Sequence, residues 1–193
     1  MSFYNDNAET YIEDTLSVDM SAVMDRFVAH LPDGGRVMDA GCGSGRDIRS
    51  FLGKGFDVSA FDASMEMVKH ASKFSGVEVR HAAFSDLTDE EEYDGIWCCA
   101  SLLHVREADF ADVIARLRRA LKPGGVIYLS FKHGTGERVS KGRYFLDHTE
   151  ESPATALRFL PDLEVVSMWK TGDVRPNRET EFWLNAIVRW GRD

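Results

Sequence analysis

Cysteine is scarce in this chain of 193 residues: three, at Cys42, Cys98 and Cys99, in no even set and without a C-x-x-C spacing. That pattern argues against a disulfide framework and against a structural zinc site. Basic residues are also short, 23 Lys and Arg against 32 Asp and Glu, for a formal charge of −9. Phosphate backbones are gripped by clustered Lys and Arg, so the balance argues against a general nucleic-acid partner. No apolar run approaches the roughly 20 residues that cross a bilayer, so no membrane partner is expected. The opening MSFYNDNAETY has no basic start leading into an apolar core, hence no secretory signal. A cytoplasmic protein is the expectation. What is present, 44% apolar and 28% charged residues, is the ordinary mix of a globular chain. Residues 1–193 are long enough for one well-buried domain.

Hydrophobic spacing organises the first two thirds. Met20, Val23, Met24, Phe27, Val28 and Leu31 share one helical face, and Pro32-Asp33-Gly34-Gly35 ends it. Arg36 to Ala40 reads as a short buried strand, Asp47 to Leu52 as a helix, Phe56 to Phe61 as a second strand. Ser64 to Phe74 is a helix with Ser64 as N-cap, and Val77 to His81 a third strand. The unbroken apolar run Gly95 to Ala100 is a strand buried on both faces, Phe110 to Leu121 a helix, Val126 to Phe131 a fifth strand. Such alternation implies a parallel sheet with helices on both faces. Residues 132–148 are polar and glycine-dotted and read as a long loop. Glu150 to Leu160 has the pattern of a helix. Leu163 to Trp169 and Glu181 to Trp190, joined by the turn-rich Thr171 to Arg178, must pair antiparallel, since no helix separates them.

The chemistry starts in VMDAGCGSGRD, Val37 to Asp47. Gly41, Gly43 and Gly45 let the chain turn sharply after the first strand and let a ligand approach the backbone, with Cys42 inside the same turn. Asp62, ending the second strand, is placed to accept hydrogen bonds from both hydroxyls of a ribose. Two cofactors compete for such a loop. The dinucleotide fingerprint G-x-G-x-x-G would need glycine at Arg46. The glycines here run G-x-G-x-G, and the buried Asp39 precedes them. A carboxylate there repels a pyrophosphate but can hold the ammonium of an amino-acid tail. The nucleoside with an amino-acid tail is S-adenosylmethionine.

VMDAGCGSG, FDASMEM and LKPGGVIY resemble the successive motifs of class I S-adenosylmethionine-dependent methyltransferases, over roughly Arg36 to Phe131. More narrowly, Tyr4 to Thr15, Asp94 to His104 and Trp183-Leu184-Asn185 are similar to the small tellurite-resistance-like branch. The resemblance implies an α/β fold: a Rossmann-like, mostly parallel sheet with helices on both faces and a C-terminal antiparallel hairpin strand. It implies that residues 1–31 form a helical lid whose Tyr11 closes over the cofactor, and that Ala63 and Met67 pack on the adenine. Many relatives carry Gly-Asp after the third strand; this chain has Ala82-Ala83-Phe84, so Ala83 and Phe84 are the candidate adenine contacts, with Asp86 nearby. Ser101 and His104 follow the fourth strand, where the class places groups facing the methyl and the acceptor.

His104 has the intrinsic pKa of a general base. Arg143, beside Tyr144-Phe145 on the substrate side of 132–148, is the candidate acceptor contact. Cys98 and Cys99, inside a strand, read as packing, and no proline precedes them as an RNA cytosine-methylating cysteine would require. The expected function is methyl transfer from S-adenosylmethionine, with S-adenosylhomocysteine as product, to a small-molecule acceptor. No N-P-P-Y-like motif follows the fourth strand, where Ala100-Ser101-Leu102-Leu103 stands. A protein or tRNA acceptor, a non-catalytic S-adenosylmethionine-binding protein and a nicotinamide oxidoreductase are the alternatives. The sequence leaves the oligomeric state open.

Overall fold

The computed structural model describes residues 2–151, 162–175 and 178–191. Among these, the strands in chain order are β1 (Arg36–Ala40), β2 (Asp57–Asp62), β3 (Val79–His81), β4 (Tyr93–Cys98), β5 (Leu121–Lys132), β6 (Gly136–Ser140), β7 (Arg143–Asp147), β8 (Leu163–Gly172) and β9 (Phe182–Trp190). The helices are α1 (Ser2–Asp6), α2 (Ala8–Leu16), α3 (Ser21–Val28), α4 (Arg46–Gly53), α5 (Met65–Ser75) and α6 (Glu107–Ala120). Seven strands form one sheet in the order β3-β2-β1-β4-β5-β9-β8, while β6 and β7 pair apart from it. β1 to β5 are parallel, and β9 enters antiparallel to both β5 and β8. This is the Rossmann-like architecture the residues predict, with its reversed strand at the carboxyl end of the chain.

Successive side chains of the central strands face opposite cores. Val37, Trp97 and Tyr128 point to the face covered by Phe27 of α3, Phe51 of α4 and Ala71 of α5. Met38, Ile96 and Ile127 point to the face covered by Phe110, Val113, Ile114 and Leu117 of α6. Each fully buried apolar side chain contributes about 1.5–3 kcal/mol. The helix ends follow local chemistry. Ser64 caps α5, its Oγ accepting the Met67 N–H at 3.4 Å, and Gly76 closes that helix at φ +80°. Among the described residues, no helix is long and apolar enough to cross a membrane.

Two expectations are corrected. Residues 132–148 are not a loop: β6 and β7 form a hairpin, with Ser140 opposite Arg143. Its two-residue turn, Lys141-Gly142, has positive φ at both positions, 50° and 74°, the tight turn whose twist suits a hairpin. β6 is polar and nearly all exposed, so it shows no apolar alternation. The fourth strand ends at Cys98 and not at Ala100. Ala100 turns the chain at φ +52°, and its N–H donates to Ser130 Oγ at 2.8 Å. The helix expected over Glu150 to Leu160 lies, from residue 152 on, outside the described residues, as do residues 176–177 of the expected turn.

Candidate active site

Strand order reverses between β1 and β4, and a ligand site opens at the carboxyl ends of strands at such a point. The glycine turn lies there. Gly41 and Cys42 donate their N–H groups to the Phe61 carbonyl at 2.9 and 3.0 Å, tying the turn to β2. All three glycines have positive φ, and a Cβ at each would crowd a neighbour, most severely at Gly41. At Gly41 a Cβ would stand 2.6 Å from Ser101 Cβ; at Gly43, 3.3 Å from the Tyr11 ring; at Gly45, 3.0 Å from Ala71 of α5. The glycines therefore serve the protein's own packing as well as any ligand. Asp62 accepts the Gly43 N–H at 2.9 Å and the Ser64 N–H at 2.8 Å. Burial raises its carboxyl above the ordinary value, and these N–H groups oppose the rise.

One cavity lies against the turn, and a second adjoins the first. The smaller, about 250 Å³, lies between the turn, α2 and the β8–β9 end, and Asp39, Gly41, Cys42 and Gly43 line it. The larger, about 390 Å³, lies between α1, the β6–β7 hairpin and β9, and His104 and Arg143 line it. Tyr11, Ala100, Arg175 and Trp183 belong to both walls and mark where the cavities meet. Ala100 at positive φ is a strained residue at that junction. Ser101 follows it, buried, with no hydrogen-bond partner for its Oγ.

Asp39 is the electrostatic centre of the smaller cavity. It is 2% exposed, and its Oδ2 makes no hydrogen bond. Burial raises its carboxyl well above the ordinary value, the nearby Asp47 and Asp62 add to the rise, and Arg46 opposes it. Arg46 and Asp47 start α4 and clasp each other, Nε to Oδ1 at 2.7 Å and a terminal nitrogen to Oδ2 at 2.8 Å. From Asp47 a polar ladder crosses the sheet. Trp97 Nε1 donates to Asp47 at 2.9 Å, Trp97 stacks on Tyr128 at 4.0 Å, and the Tyr128 hydroxyl donates to Asn185 at 2.7 Å. Each buried polar group in it has a partner, which offsets the cost of its burial.

The N-terminal helices cover both cavities. Tyr11 of α2 sits over Gly43, and Thr15 donates to Ser44 Oγ at 3.5 Å. In α1, Asn5 Oδ1 accepts the Ser64 hydroxyl at 2.6 Å, and Tyr4 bonds to His104 Nε2 at 2.6 Å. His104 Nδ1 lies 2.7 Å from the Tyr144 carbonyl, which only accepts, so Nδ1 carries the proton and Nε2 takes the Tyr4 O–H. Burial pushes His104 down to about 4, with the Tyr144 carbonyl opposing. Both ring nitrogens are thus engaged, and the ring is neutral at pH 7.

Seven candidates line neither cavity: Gly45, Asp62 and Ser101, already placed beside the turn, and four more. Met67 is buried in α5; the Ala63 carbonyl accepts from His81 Nε2 at 3.2 Å; Ala83 donates its N–H to Asp86 at 2.8 Å; Phe84 packs edge-on against Phe61 at 5.3 Å. They gather on the β3 side of Asp62. Cys99, read as strand packing, lies just past the end of β4 and lines the smaller cavity, its thiol pushed up to about 12 by burial. Sequence reasoning missed the Arg46–Asp47 pair, for which the one signal was a charge doublet directly after the glycines. It also missed the cluster of Lys132, Asp173 and Glu181. There Lys132 Nζ lies 2.8 Å from Asp173, 2.5 Å from Glu181 and 4.1 Å from the centre of the Trp183 ring.

Strand order, glycine turn and the acidic ends of β1 and β2 define a nucleoside-binding domain of the class I methyltransferase kind. Residues 37–125, a little under half of the chain, match the family described as a methyltransferase domain. A ubiquinone biosynthesis O-methyltransferase of Xanthomonas axonopodis pv. citri is 39% identical over 106 residues, 51% of this chain and 44% of that relative. The matched segment thus spans less than half the length of this curated relative. The crystal structure of Burkholderia thailandensis 1,6-didemethyltoxoflavin-N1-methyltransferase, with 1,6-didemethyltoxoflavin and S-adenosylhomocysteine bound, superposes with a TM-score of 0.77 at 25% identity, covering 99% of this chain and 85% of that one. A methyltransferase structure from Methanosarcina mazei shares the fold, with a TM-score of 0.79 at 17% identity over 91% of this chain and 100% of that one.

Proposed function

We propose that the chain, acting as one domain, transfers a methyl group from S-adenosylmethionine to a small-molecule acceptor held in the larger cavity. The observation that carries this reading is the unpartnered Oδ2 of Asp39, buried in the smaller cavity beside the glycine turn. A buried carboxylate without a partner is costly, and the ammonium of an amino-acid tail would supply one. A pyrophosphate in its place would face the charge of Asp39. In this reading the turn from Gly41 to Gly45, with Cys42, carries the tail and Asp62 receives the ribose hydroxyls. Ala63, Met67, Ala83 and Phe84 flank the adenine, Ser101 stands at the junction, and Tyr11 closes the site. When bound, the cofactor supplies a sulfonium methyl, which a lone pair of the acceptor takes while the carbon–sulfur bonding pair stays on sulfur.

The chain's own work is alignment and exclusion of water, since an in-line displacement needs little else. His104 offers no free nitrogen while α1 is in place. Its part is to fix Tyr4 at the wall, and the acceptor brings its own lone pair as an amine or an already ionised group. The names of the Xanthomonas and Burkholderia relatives, each a methyltransferase of a small organic molecule, support the acceptor class. Tyr4 to Thr15 and Trp183-Leu184-Asn185 support a place in the small tellurite-resistance-like branch, at work in the cytoplasm. The test is a screen of the purified chain with S-adenosylmethionine against small phenols, aromatic acids and heteroaromatic amines, reading methylated product by mass spectrometry. Turnover with a member of the panel is expected. Methylation of tRNA or protein alone would overturn the acceptor class.

A further inference from the structure

The larger cavity has an unbalanced charge, in a chain whose formal charge is −9. Lys132, Arg138, Lys141, Arg143, Arg175 and Arg178 line it. The carboxylates within their reach are Asp147, Glu181 and Asp173, and each is already taken. Asp173 holds Lys132 at 2.8 Å and Arg175 at 2.6 Å, Glu181 holds Lys132 at 2.5 Å and Arg178 at 3.2 Å, and Asp147 pairs with Arg138. Among the described residues, no carboxylate pairs with Arg143 or Lys141. These two stand together at the tip of the hairpin, Lys141 in the turn and Arg143 at the first position of β7.

Arg143 is set for recognition by its edge. Its guanidinium carbon lies over the Phe3 ring at 4.5 Å and the Phe145 ring at 5.1 Å, with the Tyr4 hydroxyl as a polar neighbour. Its Nε is shielded from solvent and has no hydrogen-bond partner. A guanidinium held among rings and unpaired with any carboxylate keeps N–H groups that match the paired oxygens of a carboxylate or similar oxyanion. A purely structural stack, fastening α1 to the hairpin, accounts for the ring contacts. It does not account for a second unpaired cation beside a cavity of about 390 Å³. Tyr4, Tyr11, Phe145, Phe182 and Trp183 set aromatic rings into the same wall, among polar neighbours that include His133, Ser140 and Thr180.

We propose that the larger cavity takes a small, flat organic anion as the methyl acceptor, its oxyanion held by Arg143 with Lys141 beside it. The proposal rests on the methyl-transfer reading for the word acceptor alone; capture of the anion stands on the cavity itself. Holding the acceptor by a charge also suits a site whose histidine is already engaged, because it selects molecules that arrive ionised.

The experiment titrates one- and two-ring aromatic carboxylates, each paired with its uncharged carboxamide, and inorganic phosphate, into the full chain with and without S-adenosylhomocysteine. Tryptophan fluorescence and calorimetry give the affinities. At least one carboxylate should bind about tenfold or more tighter than its amide, as charged hydrogen bonds of this kind allow. Arg143→Gln should abolish that preference, Lys141→Gln should reduce it, and neither should move S-adenosylhomocysteine affinity. Amides binding as tightly as acids, no acid binding at millimolar concentration, or phosphate binding as well as the best carboxylate would each overturn the proposal. So would an Arg143→Gln chain that loses acid and amide equally, since that is the mark of a structural stack. Failure of S-adenosylhomocysteine binding with the acid preference intact would overturn the methyl-transfer reading and leave the anion site standing.

Discussion

Asp39→Asn should move stability and affinity in opposite directions. In the ligand-free chain the carboxylate is buried, one oxygen has no partner, and Asp47 and Asp62 repel its charge. The amide has nearly the same shape and no charge to desolvate. An unsatisfied buried polar group costs about 1–3 kcal/mol and a charged one more, so the exchange should stabilise the ligand-free protein by about 1 kcal/mol. For a chain of this length that is about 2–4 °C in Tm. Because the folded-state value of Asp39 is raised, its presence lowers stability as pH rises through the interval above the unfolded value of about 4. The gain from the substitution should therefore be largest at neutral pH and vanish in acid. S-adenosylhomocysteine, deprived of the carboxylate for its ammonium, should bind about 10- to 100-fold more weakly, the worth of one charged hydrogen bond. Thermal melts across pH with and without ligand, together with calorimetric titration, read both effects. A lower Tm with unchanged affinity would refute the reasoning and make Asp39 a structural carboxylate.

Gly41→Ala puts a Cβ 2.6 Å from Ser101 Cβ at a backbone φ of +78°, and should cost about 1–3 kcal/mol in a urea titration; an unchanged midpoint would mean the turn can relax. His104, held down to about 4 in the folded chain against 6.5 ordinarily, contributes stability that is complete above pH 6.5 and is lost as pH falls toward 4, at most about 3 kcal/mol. His104→Gln should flatten that part of the pH–stability curve, and a curve identical to the parent's would contradict the buried neutral ring. Asp173→Asn leaves Lys132 and Arg175 without their shared carboxylate and should destabilise by about 3–5 kcal/mol at neutral pH. Burial alone would raise the Asp173 carboxyl, but Arg175 and Lys132 hold it well below the ordinary range. Its contribution should therefore be complete above pH about 4 and fade only in stronger acid. A loss under about 1 kcal/mol at neutral pH would remove that cluster from the stability of the site.

Up to Phe131 the fold was legible because each strand is a short apolar run and each helix has a wide apolar face. Those two periods are hard to confuse when both are buried, as Ile96-Trp97 and Val113-Ile114-Leu117 are. The hairpin escaped notice for the opposite reason: β6 faces solvent, and its turn is Lys-Gly instead of Asn-Gly. On the cofactor side, Asp39, the glycines and Asp62 are near neighbours in the chain or end adjacent strands, so spacing alone brings them together. The acceptor side is assembled from a distance. Lys132 meets Asp173 across 41 positions and Tyr4 meets His104 across 100, and no local pattern encodes either pairing. Arg46 and Asp47 sat in plain view, but a charge doublet opening a helix looks like a solvated end until the sheet is seen to bury it.

The central claim is that the turn after β1 holds a nucleoside with a cationic tail in place of a dinucleotide. Calorimetric titration of the full chain with S-adenosylhomocysteine, and in parallel with NADH, tests it most directly. Micromolar binding of the first and none of the second is the predicted result. Binding of NADH with no heat from S-adenosylhomocysteine would contradict the account and return the glycine turn to a dinucleotide.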